Sequence, residues 1–381
     1  MRVSIHGRHR AAVLLFLACA GLARPGTASA DGEPLRVSAA RREFFVGAAV
    51  SMSPLRTERA YQNTLAREFN VCVAENAFKF ANTHPARTAY SFADTDALVA
   101  FARANGMRLR GHTLVWHQSL PNWLKKGKFG REEAIAILRD HILTLVGRYR
   151  GKVWAWDVVN EAVADGSASL RTESFWYRTI GPDYIELAFR FAHEADPGAI
   201  LYYNDYGGEG MGAKSDGVHN LVRGLKEKGV PIHGVGWQMH VENGFQITPG
   251  HRENARRLAA LGLELSVTEL DVRIDMPVTA DELASQATTY RDVLAFCLSE
   301  PNFKALLMWG FTDRYSWVPK FFPGKGAALI FDRRYRPKPA YEALREVLEE
   351  GVVSGFVVAS ASRVSLRQIR RLCGTTDRTP R

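Results

Sequence analysis

The chain has 381 residues, with 50 Lys and Arg against 40 Asp and Glu, and a formal net charge of +10. It is 46% hydrophobic and 24% charged, a balance that excludes a disordered chain, a collagen-like repeat and a membrane bundle. Four of the surplus positive charges lie in residues 1–30 and five in residues 363–381; setting those nine aside leaves +1 for residues 31–362, so no bulk basic field is present to hold a nucleic acid.

The first thirty residues predict an export signal. Arg8 and Arg10 precede the apolar run Ala11 to Ala20, and Ala28-Ser29-Ala30 offers a small-residue cleavage site. The apolar run is too short to span a bilayer, so no transmembrane segment is expected. The mature chain is expected to begin near Asp31 and to be secreted or periplasmic. An uncleaved anchor, or lipidation at Cys19 within Leu17-Ala18-Cys19, are the alternatives. Three cysteines remain beyond the signal, Cys72, Cys297 and Cys373, which make no disulfide framework. Cys72 and Cys297 sit in apolar surroundings and are expected to be core thiols, with a single Cys72–Cys297 bridge as the alternative. The chain has no Cys-x-x-Cys or His-x-x-x-His spacing that would suggest a metal.

From residue 34 to residue 350 short β-rich apolar runs alternate with longer helical patterns. The runs are Phe44–Val50, Val71–Phe80, Leu109–Trp116, Val153–Asn160, Ile200–Asp205, Val235–Val241, Leu263–Val272 and Leu306–Phe311. They are nearly continuous in hydrophobicity, as strands buried on both faces are. Between them, Arg131–Arg148 and Glu282–Leu298 carry a helical period. Eight strand–helix repeats predict an α/β chain forming a single (β/α)8 TIM barrel over residues 31–350. An open doubly wound sheet is less consistent, because the first run ends Gly47-Ala48-Ala49-Val50-Ser51 without a Gly-rich phosphate loop. Residues 351–381 form a separate segment, apolar from Gly351 to Ser362 and then Arg-rich. It is expected to be a disordered tail, or one that binds an anionic surface.

A barrel places its chemistry at the C-terminal strand ends. Polar residues collect there: Glu75, Asn76 and Lys79 in the second run, His112 and Trp116 in the third, and Asp157, Asn160 and Glu161 in the fourth. Asn204, Asp205 and Tyr206 end the fifth, Gln238 and His240 the sixth, Glu269 and Asp271 the seventh, and Trp309 the eighth. Two carboxylates, Glu161 and Glu269, are expected to face each other across the mouth. Such a pair is what glycosidic cleavage requires, one group protonating the leaving oxygen and the other attacking the anomeric carbon or activating water. Asn160 is placed to bond a sugar hydroxyl. His240 and Asp271 are placed to orient Glu269 and keep it ionised. Trp116, Trp309 and Trp317 offer flat faces for sugar rings. Asp157 is either a tie between strand ends or part of the site.

Several of these segments resemble glycoside hydrolase family 10, the endo-1,4-β-xylanases. Trp156-Asp157-Val158-Val159-Asn160-Glu161-Ala162 is similar to the family's acid/base motif, and Thr268-Glu269-Leu270-Asp271-Val272 to its nucleophile motif. Gly111-His112-Thr113-Leu114-Val115-Trp116-His117, Leu201-Tyr202-Tyr203-Asn204-Asp205-Tyr206, Gly236-Trp237-Gln238-Met239-His240 and the stretch from Trp309 to Trp317 also match, in family order. The resemblance implies hydrolysis of 1,4-β-xylosidic linkages in xylan by retaining double displacement. Glu161 would be the general acid/base and Glu269 the nucleophile. His112, Asn160, Gln238, His240, Trp309 and Trp317 would line the −1 subsite. Glu75, Asn76 and Lys79 would grip the −2 sugar. Tyr206 and Trp116 are further substrate-binding candidates. Xylan or its oligosaccharides would be the partner of a monomeric enzyme, and no cofactor is implied. The chain departs from the family pattern on the −2 side, where Ser119 takes the place of a Gln and Ala77 that of a Glu. A β-1,4-glucanase and a barrel that only binds polysaccharide are the competing functions.

Overall fold

The structure is a computed structural model, and it describes residues 32–350. The expected export signal and the Arg-rich tail, with Cys19 and Cys373, lie outside the described residues. Among the described residues there are ten strands: β1 Phe45–Val50, β2 Val71–Ala74, β3 Arg108–Trp116, β4 Ala155–Asn160, β5 Ile200–Asp205, β6 Gly234–Trp237, β7 His240–Glu242, β8 Glu264–Asp275, β9 Phe303–Met308 and β10 Lys325–Gly326. Eight of them pair in parallel in the order β1-β2-β3-β4-β5-β6-β8-β9, and β9 pairs back onto β1, which closes the barrel. Helices lie between successive barrel strands, so the (β/α)8 architecture is the one the alternating pattern implies. The two short strands extend β8 at its C-terminal end: β7 pairs with residues 271–273 in parallel, and β10 with residues 274–275 in antiparallel.

Local chemistry explains the helices. Arg131–Arg148 opens on Glu132 and Glu133 and closes on Arg148, complementing the helix dipole at both ends. Ala280–Ser299 begins with a reciprocal cap: Thr279 Oγ1 accepts from the Glu282 N–H at 3.2 Å, and Glu282 Oε2 accepts from the Thr279 N–H at 2.8 Å. The barrel interior holds Ala49, Val71, Val73, Ala305, Leu307 and Trp309 as one apolar cluster, and the larger core lies between strands and helices. Cys72 and Cys297 are buried and unbridged within that larger core. No helix of the described residues is long and apolar enough to cross a membrane.

The strand limits differ from the apolar runs in an instructive way. The second run stops being strand at Ala74, because Glu75 and Asn76 turn the chain at the barrel mouth. The sixth divides at Gln238-Met239, where Met239 adopts φ 63°. The eighth shifts to Phe303–Met308, so Trp309 follows the strand rather than ending it. Three register shifts occur at the mouth, each an extra residue: in β3 between His112 and Val115, in β4 between Asp157 and Val159, and in β8 between Val267 and Leu270. A bulge breaks the strict alternation of side chains and re-aims the residues beside it. These three strands are the ones that carry His112 and Trp116, Asp157 and Asn160, and Glu269.

Candidate active site

Glu161 follows β4 with its backbone in the left-handed region, at φ 57°. Its N–H donates to the Asn204 carbonyl at 2.9 Å. One carboxylate oxygen, Oε1, accepts from Asn160 Nδ2 and from Gln238 Nε2, both at 3.0 Å. The other, Oε2, accepts from the Trp116 indole N–H at 2.7 Å. Glu269 lies on β8 at the bulge. Its N–H donates to the Gln238 carbonyl at 3.0 Å, and its Oε1 accepts from Asn204 Nδ2 at 2.8 Å. Asn204 Nδ2 also donates to Asn160 Oδ1 at 2.9 Å. The two carboxylates are therefore joined through the amides of Asn160 and Asn204, with Gln238 bridging alongside.

Burial opposes the charge on Glu269, but the charge of His112 and the bond and charge of His240 outweigh it. The carboxyl is held below the usual glutamate range. His240 Nε2 lies 3.2 Å from Glu269 Oε2 and its Nδ1 2.9 Å from Asp271 Oδ2. Burial disfavours the imidazolium, yet the charge and hydrogen bond of Asp271, with those of Glu269, raise its pKa to about 10. His240 is thus a cation near neutrality, donating to a carboxylate through each ring nitrogen. Asp271 Oδ2 also accepts from the Trp317 indole N–H at 2.7 Å, which fixes that ring against His240 at 4.9 Å between centroids. On the other side, His112 Nδ1 lies 2.9 Å from Asp157 Oδ2 and 3.9 Å from Glu269 Oε1. Asp157 also accepts from the buried Arg110 Nε at 3.1 Å, a bond between β4 and β3. The buried charge of Asp157 is tolerated because it is paired with Arg110 and bonded to His112, while Arg110 Nη1 is left without a hydrogen-bond partner.

The remaining sequence-selected residues fall in two places. Lys79 donates to Asn76 Oδ1 at 2.9 Å and sits 5.0 Å from the Trp116 ring and 5.7 Å from the Trp309 ring. Burial pushes the Glu75 carboxyl up, against the Lys79 charge and an Asn76 bond. Glu75, Asn76, Lys79, Trp116 and Trp309 thus form one wall beside the carboxylates. Tyr206 stands apart. It lines a pocket of about 550 Å³ with Glu209, His240, Glu242, Asn243 and Phe245, and its hydroxyl donates to Asp165 at 2.7 Å. Asn204 and Arg110 were not singled out for roles from sequence. Asn204 had a signal, an amide at the end of an apolar run beside Asp205 and Tyr206; Arg110, inside such a run, had none.

A closed parallel barrel whose mouth holds two buried glutamates, linked by amides and flanked by tryptophans, defines the glycoside hydrolase class. The family model described as Glycosyl hydrolase family 10 matches residues 35–347. The chain belongs to that family. It is similar to endo-1,4-β-xylanase B of Thermotoga neapolitana, with 46% identity over 320 residues, covering 83% of this chain and 92% of the relative. An endo-1,4-β-xylanase of Agaricus bisporus is 43% identical over 277 residues, covering 73% and 82%. Among solved structures, xylanase 10B of Thermotoga petrophila RKU-1 in complex with xylobiose superposes with a TM-score of 0.82 at 45% identity, covering 84% of this chain and 99% of that one.

Proposed function

We propose that the protein is a retaining endo-1,4-β-xylanase, with Glu269 as nucleophile and Glu161 as general acid/base. The observation that carries the assignment of roles is the asymmetry between the two carboxylates. Glu269 is held ionised by His112 and His240, as a nucleophile must be. Glu161 accepts its carboxylate hydrogen bonds from neutral donors, Trp116, Asn160 and Gln238, and takes the acid/base role. In the first step Glu269 attacks the anomeric carbon, the glycosidic C–O bond breaks, and Glu161 delivers its proton to the departing oxygen. In the second, water attacks the same carbon, gives a proton to the Glu161 carboxylate, and the ester to Glu269 breaks. Two inversions return the original configuration.

Xylan as substrate follows from the relatives, which are named endo-1,4-β-xylanases, and from the related structure holding xylobiose. His112, Asn160, Gln238, His240, Trp309 and Trp317 form the −1 site in this reading, and Glu75, Asn76 and Lys79 hold the −2 sugar. The reading includes export, supported by the basic and apolar N-terminal segment, and a monomeric enzyme. Mass labelling with a 2-fluoro-xylobioside tests the mechanism: the expected product is a covalent adduct on Glu269. An adduct on any other residue, or inverted product stereochemistry, rejects it. Faster turnover of an aryl cellobioside than of the matching xylobioside would reject the substrate assignment.

A further inference from the structure

Behind Glu161, away from the amides that join it to Glu269, lies an ammonium group that the chemistry described so far does not use. Lys214 is 5% exposed, on the helix Ala213–Glu227. Its Nζ lies 2.9 Å from Asp205 Oδ1, 3.0 Å from Asp165 Oδ1, and 3.6 Å from the centre of the Tyr206 ring. Two branches run from it to the same stretch of backbone. In the first, Asp205 accepts from the Tyr203 hydroxyl, and that oxygen accepts from the Ala162 and Val163 N–H groups at 3.0 and 3.1 Å. In the second, Asp165 accepts from Arg171 at 3.0 Å, and Arg171 Nε donates to the Glu161 carbonyl at 3.3 Å. The Tyr206 hydroxyl donates to the same Asp165 oxygen.

Glu161 needs such support. A non-glycine residue at φ 57° is strained, and it stays there only where its surroundings over-determine it. The two branches fix the peptide groups on the C-terminal side of Glu161, while Asn204 and Trp116 hold its N–H and carboxylate. Burial pushes the Asp205 carboxyl up to about 7 even against the Lys214 charge and the Tyr203 hydrogen bond, and of these two Lys214 opposes neutralisation of the first branch more strongly. The Tyr206 ring, pressed on Lys214, also forms part of the pocket wall beside His240.

We propose that Lys214 is a positioning residue for the acid/base Glu161, locking its left-handed backbone through Asp205–Tyr203 and Asp165–Arg171 and tying it to the Tyr206 wall. The proposal rests on Glu161 being the acid/base, and its role is in proton delivery, not in contact with sugar. Loss of Lys214 therefore falls on glycosylation steps that need a placed proton and spares those with a good leaving group.

The test compares Lys214→Met, Lys214→Arg and Glu161→Ala on dinitrophenyl β-xylobioside and on xylotetraose, with thermal melts of each. Lys214→Met is expected to lower kcat/KM on xylotetraose about tenfold or more and on the dinitrophenyl substrate less than about threefold, since a misplaced acid loses much of its contribution. Lys214→Arg is expected to recover most of that loss. Equal losses on both substrates, or no loss on either, overturn the proposal. Should Lys214→Met not fold, Asp165→Asn removes one branch at an exposed residue; its loss is expected to show the same leaving-group dependence, and a loss equal on both substrates overturns the proposal. The Glu161→Ala control separates the two readings: if it loses equally on both substrates, the acid assignment fails whatever Lys214 does.

Discussion

Glu161 and Glu269 share a residue type and a place at the barrel mouth, and their neighbours make them different. Glu269 has two imidazoles within 4 Å, at 3.2 Å for His240 and 3.9 Å for His112. Removing one of them has a definite sign. His240 holds the Glu269 carboxyl down, so in His240→Ala the carboxyl rises toward its ordinary value. The acidic limb of the kcat/KM profile is then expected to move to higher pH, because the nucleophile must be ionised. A pH series on an aryl xylobioside measures it, and an unmoved limb refutes it. Glu161→Ala is expected to cost roughly 10²–10⁴ in kcat/KM on poor leaving groups and far less in kcat/KM on activated ones. Both glutamates were legible in sequence because a carboxylate ending an apolar run contradicts burial unless a site explains it. Lys214 was not legible. Within Ala213-Lys214-Ser215-Asp216 it resembles any lysine on a solvated helix face, and only the folded chain brings Asp165 and Asp205 to it.

The strands show how the backbone sets the spacing of the site. Gly236 on β6 lies where a Cβ would stand 2.1 Å from Asn204 Oδ1 and 2.9 Å from Thr268 Cγ2. Asn204 bonds Asn160 and Glu269 with one nitrogen and accepts from Thr268 Oγ1 at 2.8 Å, so it has nowhere to retreat. Gly236→Ala is expected to destabilise the fold by about 1–3 kcal/mol. It is also expected to lower kcat by about 10²-fold through displacement of that amide. Denaturant unfolding and steady-state kinetics on the same preparation measure both, and an unchanged kcat would show that the amide link does not govern the carboxylates. At this scale the number and order of the eight barrel strands were legible from alternation of apolar runs and helical periods, and the short β7 and β10 were not. The bulges in β3, β4 and β8 were not. An inserted residue changes register without changing composition, so His112-Thr113-Leu114-Val115 looks like an unbroken strand.

Across the whole molecule, the charge excess lies at the two ends of the sequence and leaves a nearly neutral body, which suits a neutral polysaccharide. A chain ending at residue 350 is expected to keep its kcat/KM on soluble xylo-oligosaccharides, since the family match ends at residue 347. A loss beyond about threefold would assign the tail a part in catalysis. A second whole-molecule property is acid sensitivity. His141 is fully buried, stacked on Phe80 at 3.7 Å between centroids, and neither ring nitrogen has a hydrogen-bond partner. Burial, with the nearby His84, holds its pKa well below the usual histidine value. The unfolded chain takes up a proton near pH 6.5 and the folded chain does not, so stability falls as pH drops below that value. This histidine alone is expected to contribute roughly 1–2 kcal/mol of loss between pH 7 and pH 5. Denaturant midpoints at the two pH values should draw closer together in His141→Leu, and an unchanged gap would remove His141 from the account.

The pairing of β9 with β1 has a consequence in time. During synthesis the first strand waits for the last: Phe45 cannot meet Ala305 until some 260 intervening residues exist, a separation that follows from the register itself. Until then β1 and the newest strand are bare edges, able to pair with another copy of the chain. The outer clasp is later still, because Tyr341 donates to Glu68 at 2.9 Å and Arg42 to the Leu348 carbonyl at 2.6 Å. Glu161 and Glu269 are both made before the ring that aligns them can shut, so a nascent chain holds its reactive groups without yet being a catalyst.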